Sequence, residues 1–308
     1  KNHVLCGDET YECDNLLLCT GSETFIPPIP GIDTVPYWTH RDALDNKELP
    51  KSLVVIGGGV IGMEFASFFN SLGVEVTVIE MLDEILGGMD KELSAMLRAE
   101  YAKRGIKFML NTKVVSLDGS TGENGETQVR VNYENAEGTG FSVAEKLLMS
   151  VGRRPVTKGF GLENLNPEKT ERGNIRVDGQ MRTSVTGVYA CGDLTGFSLL
   201  AHTAVREAEV AVHAVLGKKD CMSYRAIPGV VYTNPEIAGV GDTEEALQKK
   251  GIPYRTVKLP MAYSGRFVAE NEGVNGICKL LLAEDDTVLG AHVLGNPASE
   301  IITLAGMA

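Results

Sequence analysis

The sequence predicts an α/β fold with a parallel sheet at its centre, followed by an α+β unit with a largely antiparallel sheet. Three observations predict it. Short β-branched runs alternate with helical stretches between about residues 51 and 152. Glycines, 35 in 308 residues, gather at strand ends. After Ile227 the alternation gives way to strand-like runs with little helix between them.

The chain begins with a stretch that reads as a hairpin, in which Cys6 and Cys13 flank a turn of sequence GDETYE. A buried strand follows from Asn15 to Cys19, and then a Pro-rich exit. Leu53 to Ile56 is apolar throughout, as a strand buried on both faces must be. A helix from about Val60 to Leu72 stops at Gly73, and Val74 to Ile79 is the next strand, ending at Glu80. The unit has the length of one βαβ crossover, about 30 residues. A second helix, Lys91 to Arg104, has Asp90 as its cap and Gly105 at its end. Strands are expected at Ile106–Leu110, Lys113–Leu117, Gln128–Tyr133 and Glu145–Ser150, with a polar hairpin loop over Asp118–Thr127. A short strand at Gly187–Ala190 precedes a helix from about Ala201 to Leu216. The last unit offers strands at Val230–Thr233, Tyr254–Leu259, Gly276–Leu282 and Val288–Leu294, a helix capped by Asp242 or Thr243, and a closing helical pattern ASEIITLAGMA.

Composition narrows the function classes. With 29 basic and 41 acidic residues the net charge is −12, which argues against a nucleic-acid or anionic-membrane partner. No apolar run approaches the roughly 20 residues that span a bilayer, and no signal peptide is recognisable. The six cysteines form no CxxC pair and no metal-ligand set. Buried thiols in a reducing cytoplasm are the expected reading, with a redox role for Cys6 and Cys13 as the alternative.

The strongest motif is Gly57-Gly58-Gly59-Val60-Ile61-Gly62, a G-x-G-x-x-G set between a strand and a helix. Gly57 permits the tight turn, Gly59 lets the backbone approach a pyrophosphate, and Gly62 allows close packing. The helix start adds free N–H groups and a partial positive charge. Glu80, about 20 residues on, is placed to accept hydrogen bonds from both adenosine ribose hydroxyls. No Lys or Arg lies between Glu80 and Lys91, so a 2′-phosphate has no counter-charge there. The segment is therefore expected to be a Rossmann-like domain that binds NAD rather than NADP. Glu64 has two readings, stabilisation by the helix dipole or a place at the nucleotide.

A second constellation is Val188-Tyr189-Ala190-Cys191-Gly192-Asp193, followed by Leu200-Ala201-His202-Thr203-Ala204. It places a carboxylate at the carboxyl edge of a sheet and a helix start beside it, where ligands bind. His202 alone would read as a cap or packing residue. His3, His40, His213 and His292 read as structural.

Together these segments, with Leu18-Cys19-Thr20-Gly21-Ser22, Val151-Gly152-Arg153-Arg154-Pro155 and Thr233-Asn234-Pro235-Glu236, resemble the pyridine-nucleotide disulfide oxidoreductases, most closely their dihydrolipoamide dehydrogenase branch. The resemblance is collinear over essentially the whole chain. It implies NAD contacts at Gly57, Gly59, Val60, Ile61, Gly62, Glu64, Glu80, Val114 and Gly152. It implies FAD contacts at Thr20, Gly21, Asp193, Leu200, Ala201 and His202. The implied domains are residues 1–35 and 154–225 for FAD, 36–153 for NAD, and 226–308 for an incomplete dimer interface.

The implied activity is oxidation of dihydrolipoamide through a redox disulfide and FAD to reduce NAD+. The implied partners are a second copy and a lipoyl-bearing subunit of a 2-oxoacid dehydrogenase or glycine cleavage complex. The family's first G-x-G-x-x-G, its CxxxxC pair and its His–Glu base have no counterpart here. The expectation is therefore a piece of a longer enzyme with no catalytic residue of its own and no turnover alone. The rivals are another flavin-dependent disulfide reductase and a non-catalytic NAD-binding module.

Overall fold

A computed structural model describes every residue except Lys1, Glu123, Asn124, Glu272 and Val274. The chain divides into two units: Lys1–Glu23 with Arg153–Ile227, and Thr24–Gly152 with Pro228–Ala308.

Asn2–Cys6 (β1) and Glu9–Cys13 (β2) pair antiparallel, with Cys6 opposite Glu9. The hairpin is the expected one, but its turn is only Gly7-Asp8. Gly7, at φ +60°, supplies the left-handed conformation that a two-residue loop needs. Leu16–Leu18 (β3) and Ser22–Thr24 (β4) follow.

A short helix, His40–Asp45 (α1), leads into the second unit's parallel sheet. Ser52–Ile56 (β5), Val60–Ser71 (α2), Glu75–Ile79 (β6), Lys91–Lys103 (α3) and Lys107–Met109 (β7) follow in βαβαβ succession. Lys113–Thr121 (β8), Thr127–Asn135 (β9) and Gly138–Ala144 (β10) form an antiparallel sheet, and Lys146–Met149 (β11) returns to the parallel one. The parallel order is β11-β5-β6-β7.

The period of a strand explains why Leu53 to Ile56 of β5 are all apolar. Leu53 and Val55 point to the helices, joining Met63, Phe69, Leu93 and Leu97. Val54 and Ile56 point the other way, joining Leu117, Val129 and Val131 of the antiparallel sheet. Both helices end alike: the amide of Val74 reaches the Phe69 carbonyl, and that of Ile106 reaches Tyr101, with Gly73 and Gly105 in left-handed conformation between.

One expectation in this region is corrected, and one strand is added to those expected. The stretch Asp118–Thr127 is not all loop, because β8 continues to Thr121 and β9 starts at Thr127. Gly138–Ala144 is a strand although its glycines lower its intrinsic preference. Pairing along β9 from Gly138 opposite Asn135 to Ala144 opposite Val129 decides it.

Arg153–Pro155 (β12) pairs with β4, and Val188–Ala190 (β13) lies parallel to β3 with Leu18 opposite Ala190. Ala201–Val215 (α4) follows. The last elements are Gly229–Val231 (β14), Ile237–Gly241 (β15), Glu244–Lys250 (α5), Arg255–Pro260 (β16), Gly265–Glu270 (α6), Ile277–Leu282 (β17), Val288–Leu294 (β18) and Ala298–Met307 (α7). Their five strands form an antiparallel sheet ordered β14-β15-β18-β17-β16, as expected of the α+β unit. β15, which the sequence pattern does not give, is held between β14 and β18. Thr243 caps α5, its hydroxyl accepting from the Ala246 amide at 3.2 Å.

Lys279 on β17, 1% exposed, meets Asp90 at 2.8 Å, Glu92 at 2.9 Å and Glu244. Among the described residues no helix is long and apolar enough to cross a membrane, and no group of His, Cys, Asp and Glu could hold a metal ion.

Candidate functional site

The glycine turn lies at the carboxyl edge of the parallel sheet. The Gly57 amide donates to Ile79 on β6, and the Ser150 amide, beyond β11, donates to Ile56 on β5. Gly57 sits at φ +102°, and a Cβ there would stand 2.5 Å from the Ser150 carbonyl oxygen. A Cβ at Gly62 would stand 2.0 Å from the Gly57 carbonyl oxygen and 2.6 Å from Ser150 Oγ. Neither position admits a side chain. Gly59 differs: nothing lies within 4 Å of its Cβ position. The start of α2, with Val60 and Ile61, therefore offers open backbone to a ligand.

Glu80 closes the same edge. Its Oε2 accepts the Gly58 amide at 2.7 Å and its Oε1 the Leu82 amide at 2.8 Å. Each oxygen keeps a lone pair for an incoming hydroxyl. The nearest basic residue downstream, Lys91, is held by Asp83 at 2.5 Å. Thr112 donates its amide to the Glu80 carbonyl, which brings the start of β8 alongside. Val114 on β8 packs on the cluster that contains Ile79, and Gly152, at φ +124°, lies just past β11. Glu64 lies beyond the first turn of α2. Its Oε1 accepts the Tyr232 amide at 2.9 Å, and burial pushes its carboxyl above the ordinary value of 4.5.

In the other unit, Asp193 Oδ2 accepts the Ser22 hydroxyl at 2.5 Å. Arg153 donates to Ser22 Oγ at 2.6 Å and to its carbonyl at 2.7 Å, and comes within 3.8 Å of Asp193. Thr20 donates its hydroxyl to Val156 at 2.7 Å, and the Gly21 carbonyl accepts the Val156 amide. Leu200 precedes α4, and Ala201 and His202 form its first turn.

Residues 1–208 match the family described as pyridine nucleotide-disulphide oxidoreductase, and residues 227–308 match that family's dimerisation domain. The chain belongs to this family. It is 39% identical over 296 residues to the mitochondrial dihydrolipoyl dehydrogenase of Dictyostelium discoideum, covering 96% of the chain and 60% of that protein. It is 39% identical over 310 residues to the human mitochondrial dihydrolipoyl dehydrogenase, covering 98% of the chain and 59% of that protein. The crystal structure of LpdA from Mycobacterium tuberculosis superposes with a TM-score of 0.85 at 30% identity, covering 97% of the chain and 64% of that structure. The chain thus spans about 60% of the length of the curated relatives it matches.

For a pyridine nucleotide-disulphide oxidoreductase, two groups beside the second constellation are unanticipated by the sequence pattern. Glu207 on α4 is buried, and it accepts the Gly192 amide at 2.5 Å and the Tyr224 hydroxyl at 2.6 Å. Burial raises its carboxyl above 4.5. The second group is a thiol pair, Cys19 and Cys191, whose sulfurs lie 3.3 Å apart. A mid-helix glutamate and two distant cysteines carry no local signal. Only the parallel register of β3 and β13 could have paired the thiols.

Proposed function

We propose that this chain is the NAD-binding core of a dihydrolipoyl dehydrogenase, together with part of its FAD site and a dimer-forming C-terminal domain. The observation that carries the reading is Glu80. Its carboxylate stands at the end of β6, fixed by the Gly58 and Leu82 amides. Beside it are a glycine turn open at Gly59 and no basic residue between Glu80 and Lys91. That arrangement suits a dinucleotide with free ribose hydroxyls and repels one with a 2′-phosphate.

The backbone N–H groups at the start of α2 hold the diphosphate, and Gly57, Gly59, Val60, Ile61 and Gly62 form its cradle. Glu80 grips the adenosine ribose. Val114 and Gly152 line the pocket, and Glu64 lies beside the nicotinamide. Thr20, Gly21, Asp193, Leu200, Ala201 and His202 contribute one side of the FAD site. There Ser22 and Arg153 orient the Asp193 carboxylate, and the start of α4 faces a group that gains negative charge on reduction. When bound, FAD takes up the electron pair and NAD+ is the final acceptor.

The domain limits we propose are residues 1–35 and 154–225 for FAD, 36–153 for NAD, and 226–308 for dimerisation. No residue of this chain is assigned as the disulfide nucleophile or the catalytic base. The substrate is dihydrolipoamide, carried by the lipoyl-bearing subunit of a 2-oxoacid dehydrogenase or glycine cleavage complex, in an aqueous compartment such as the cytoplasm.

Calorimetric titration of the chain tests the core of this reading. NADH binding with much weaker NADPH binding is expected, and no NADH uptake would remove it. Dihydrolipoamide-dependent reduction of NAD+ by the full-length gene product tests the substrate.

A further inference from the structure

Cys19 and Cys191 are 172 residues apart in sequence, yet their sulfurs stand 3.3 Å from each other. The sheet builds this contact. β3 and β13 run parallel with Leu18 opposite Ala190, so the next residue off each strand falls beside its counterpart. The Cys191 amide donates to the Leu18 carbonyl at 3.1 Å and fixes the register there. The hairpin cysteines are not so placed, because Cys6 faces Glu9 and Cys13 faces Asn2. Cys278 lies against the Met261 sulfur at 3.3 Å.

The two thiols differ in access, Cys19 being exposed and Cys191 buried. They also differ in acidity. The Cys19 thiolate accepts a hydrogen bond from the Cys191 S–H, which outweighs its partial burial and brings it down to about 7. The same contact, with burial, pushes Cys191 up. An exposed thiol of lowered pKa with a second thiol in contact is the arrangement of a peroxide-sensitive pair. Closing the sulfurs to the roughly 2.05 Å of a disulfide asks for a side-chain movement of little more than about 1 Å.

We propose that Cys19 and Cys191 are a redox modification site, in which a hydroperoxide converts the pair into a reversible disulfide tying β3 to β13. The Cys19 thiolate attacks the peroxide, the O–O bond breaks, and Cys19 becomes a sulfenic acid while the leaving oxygen takes a proton. The Cys191 sulfur then attacks the Cys19 sulfur and displaces hydroxide, which takes the Cys191 proton to give water. Two thiols are oxidised by two electrons and one peroxide is reduced to alcohol (or water) plus water. An external dithiol reverses the bond by exchange. Neither sulfur is among the contacts assigned above, although the pair adjoins the FAD half of that reading, Cys19 preceding Thr20 and Cys191 lying two residues before Asp193.

The test is a thiol titration of the chain with limiting hydrogen peroxide, followed by non-reducing peptide mapping. The expected result is loss of two of the six free thiols, their recovery with dithiothreitol, and a cross-linked peptide joining Cys19 to Cys191. Cys191→Ser should leave a sulfenic acid on Cys19 that a dimedone probe traps, and Cys19→Ser should abolish both bond and adduct. A Cys6→Ser/Cys13→Ser double variant should still lose two thiols. Retention of all six thiols in the wild type, or a bond mapped to any other pair, overturns the proposal. Mapping the wild type keeps the outcome independent of whether a variant folds.

Discussion

Glu80 holds the Gly58 amide at 2.7 Å, so the acid at the end of β6 also fixes the glycine turn that follows β5. One side chain thus serves the shape of the turn and the charge of the pocket.

Glu80→Ala is expected to weaken NADH binding by about 1–3 kcal/mol through lost hydrogen bonds to a charged group. It should also lower the melting temperature, because the Gly58 and Leu82 amides lose their acceptor. Calorimetry and a thermal melt read the two effects apart. An unchanged dissociation constant would take Glu80 out of the site.

Two glycines of one motif should respond in opposite ways. Gly62→Ala puts a Cβ 2.0 Å from a backbone oxygen and should cost about 1–3 kcal/mol or more of stability by overpacking. Gly59→Val puts its Cβ in open space and should lower the urea midpoint less than Gly62→Ala does, its cost being that of a poorer helix cap. NADH affinity should nonetheless fall by at least about tenfold, or 1.4 kcal/mol. Full nucleotide affinity in Gly59→Val would contradict the cradle.

Lys279 and Asp90 are each 1% exposed and paired at 2.8 Å. Lys279→Met should destabilise by about 3–5 kcal/mol, because it strands the Asp90 carboxylate without its cation. Adding Asp90→Asn should recover part of that loss. Equal urea midpoints for wild type and Lys279→Met would show that the pair contributes nothing.

The same cluster sets a pH window. Burial pushes the Glu92 and Glu244 carboxyls up, but hydrogen bonds from Lys258 and Lys279 to Glu92, and from Lys279 to Glu244, hold both below 4.5. A depressed carboxylate contributes stability that is present above the ordinary value of 4.5 and lost as pH falls through the lower folded value. Burial lowers Lys279, yet its three carboxylates raise it above 10.5. That contribution is complete below 10.5 and lost as pH rises past it. The stability gap between wild type and Lys279→Met should therefore be wide at neutral pH and narrow on acidification below 4.5. A gap independent of pH would sink the assignment.

Much of this was legible in residue order. β5, α2 and β6 follow from short β-branched runs, the glycine motif and Gly73, and their connection is short enough for local rules to decide it. The sequence pattern missed β10 and β15 because glycine-rich or short segments become strands only when neighbours supply hydrogen bonds on their edges. Glu64 likewise accepts the amide of Tyr232, 168 positions away, a contact that no local pattern announces.

What the sequence by itself determined is the family, the glycine turn and the acid at Glu80, because each rests on residues close along the chain whose spacing carries the chemistry. The tertiary structure alone decided which side chains share a site: Cys19 with Cys191, Gly192 with Glu207, Lys279 with Asp90. Such pairs depend on strand register and on the choice of buried partners, which many distant contacts settle together.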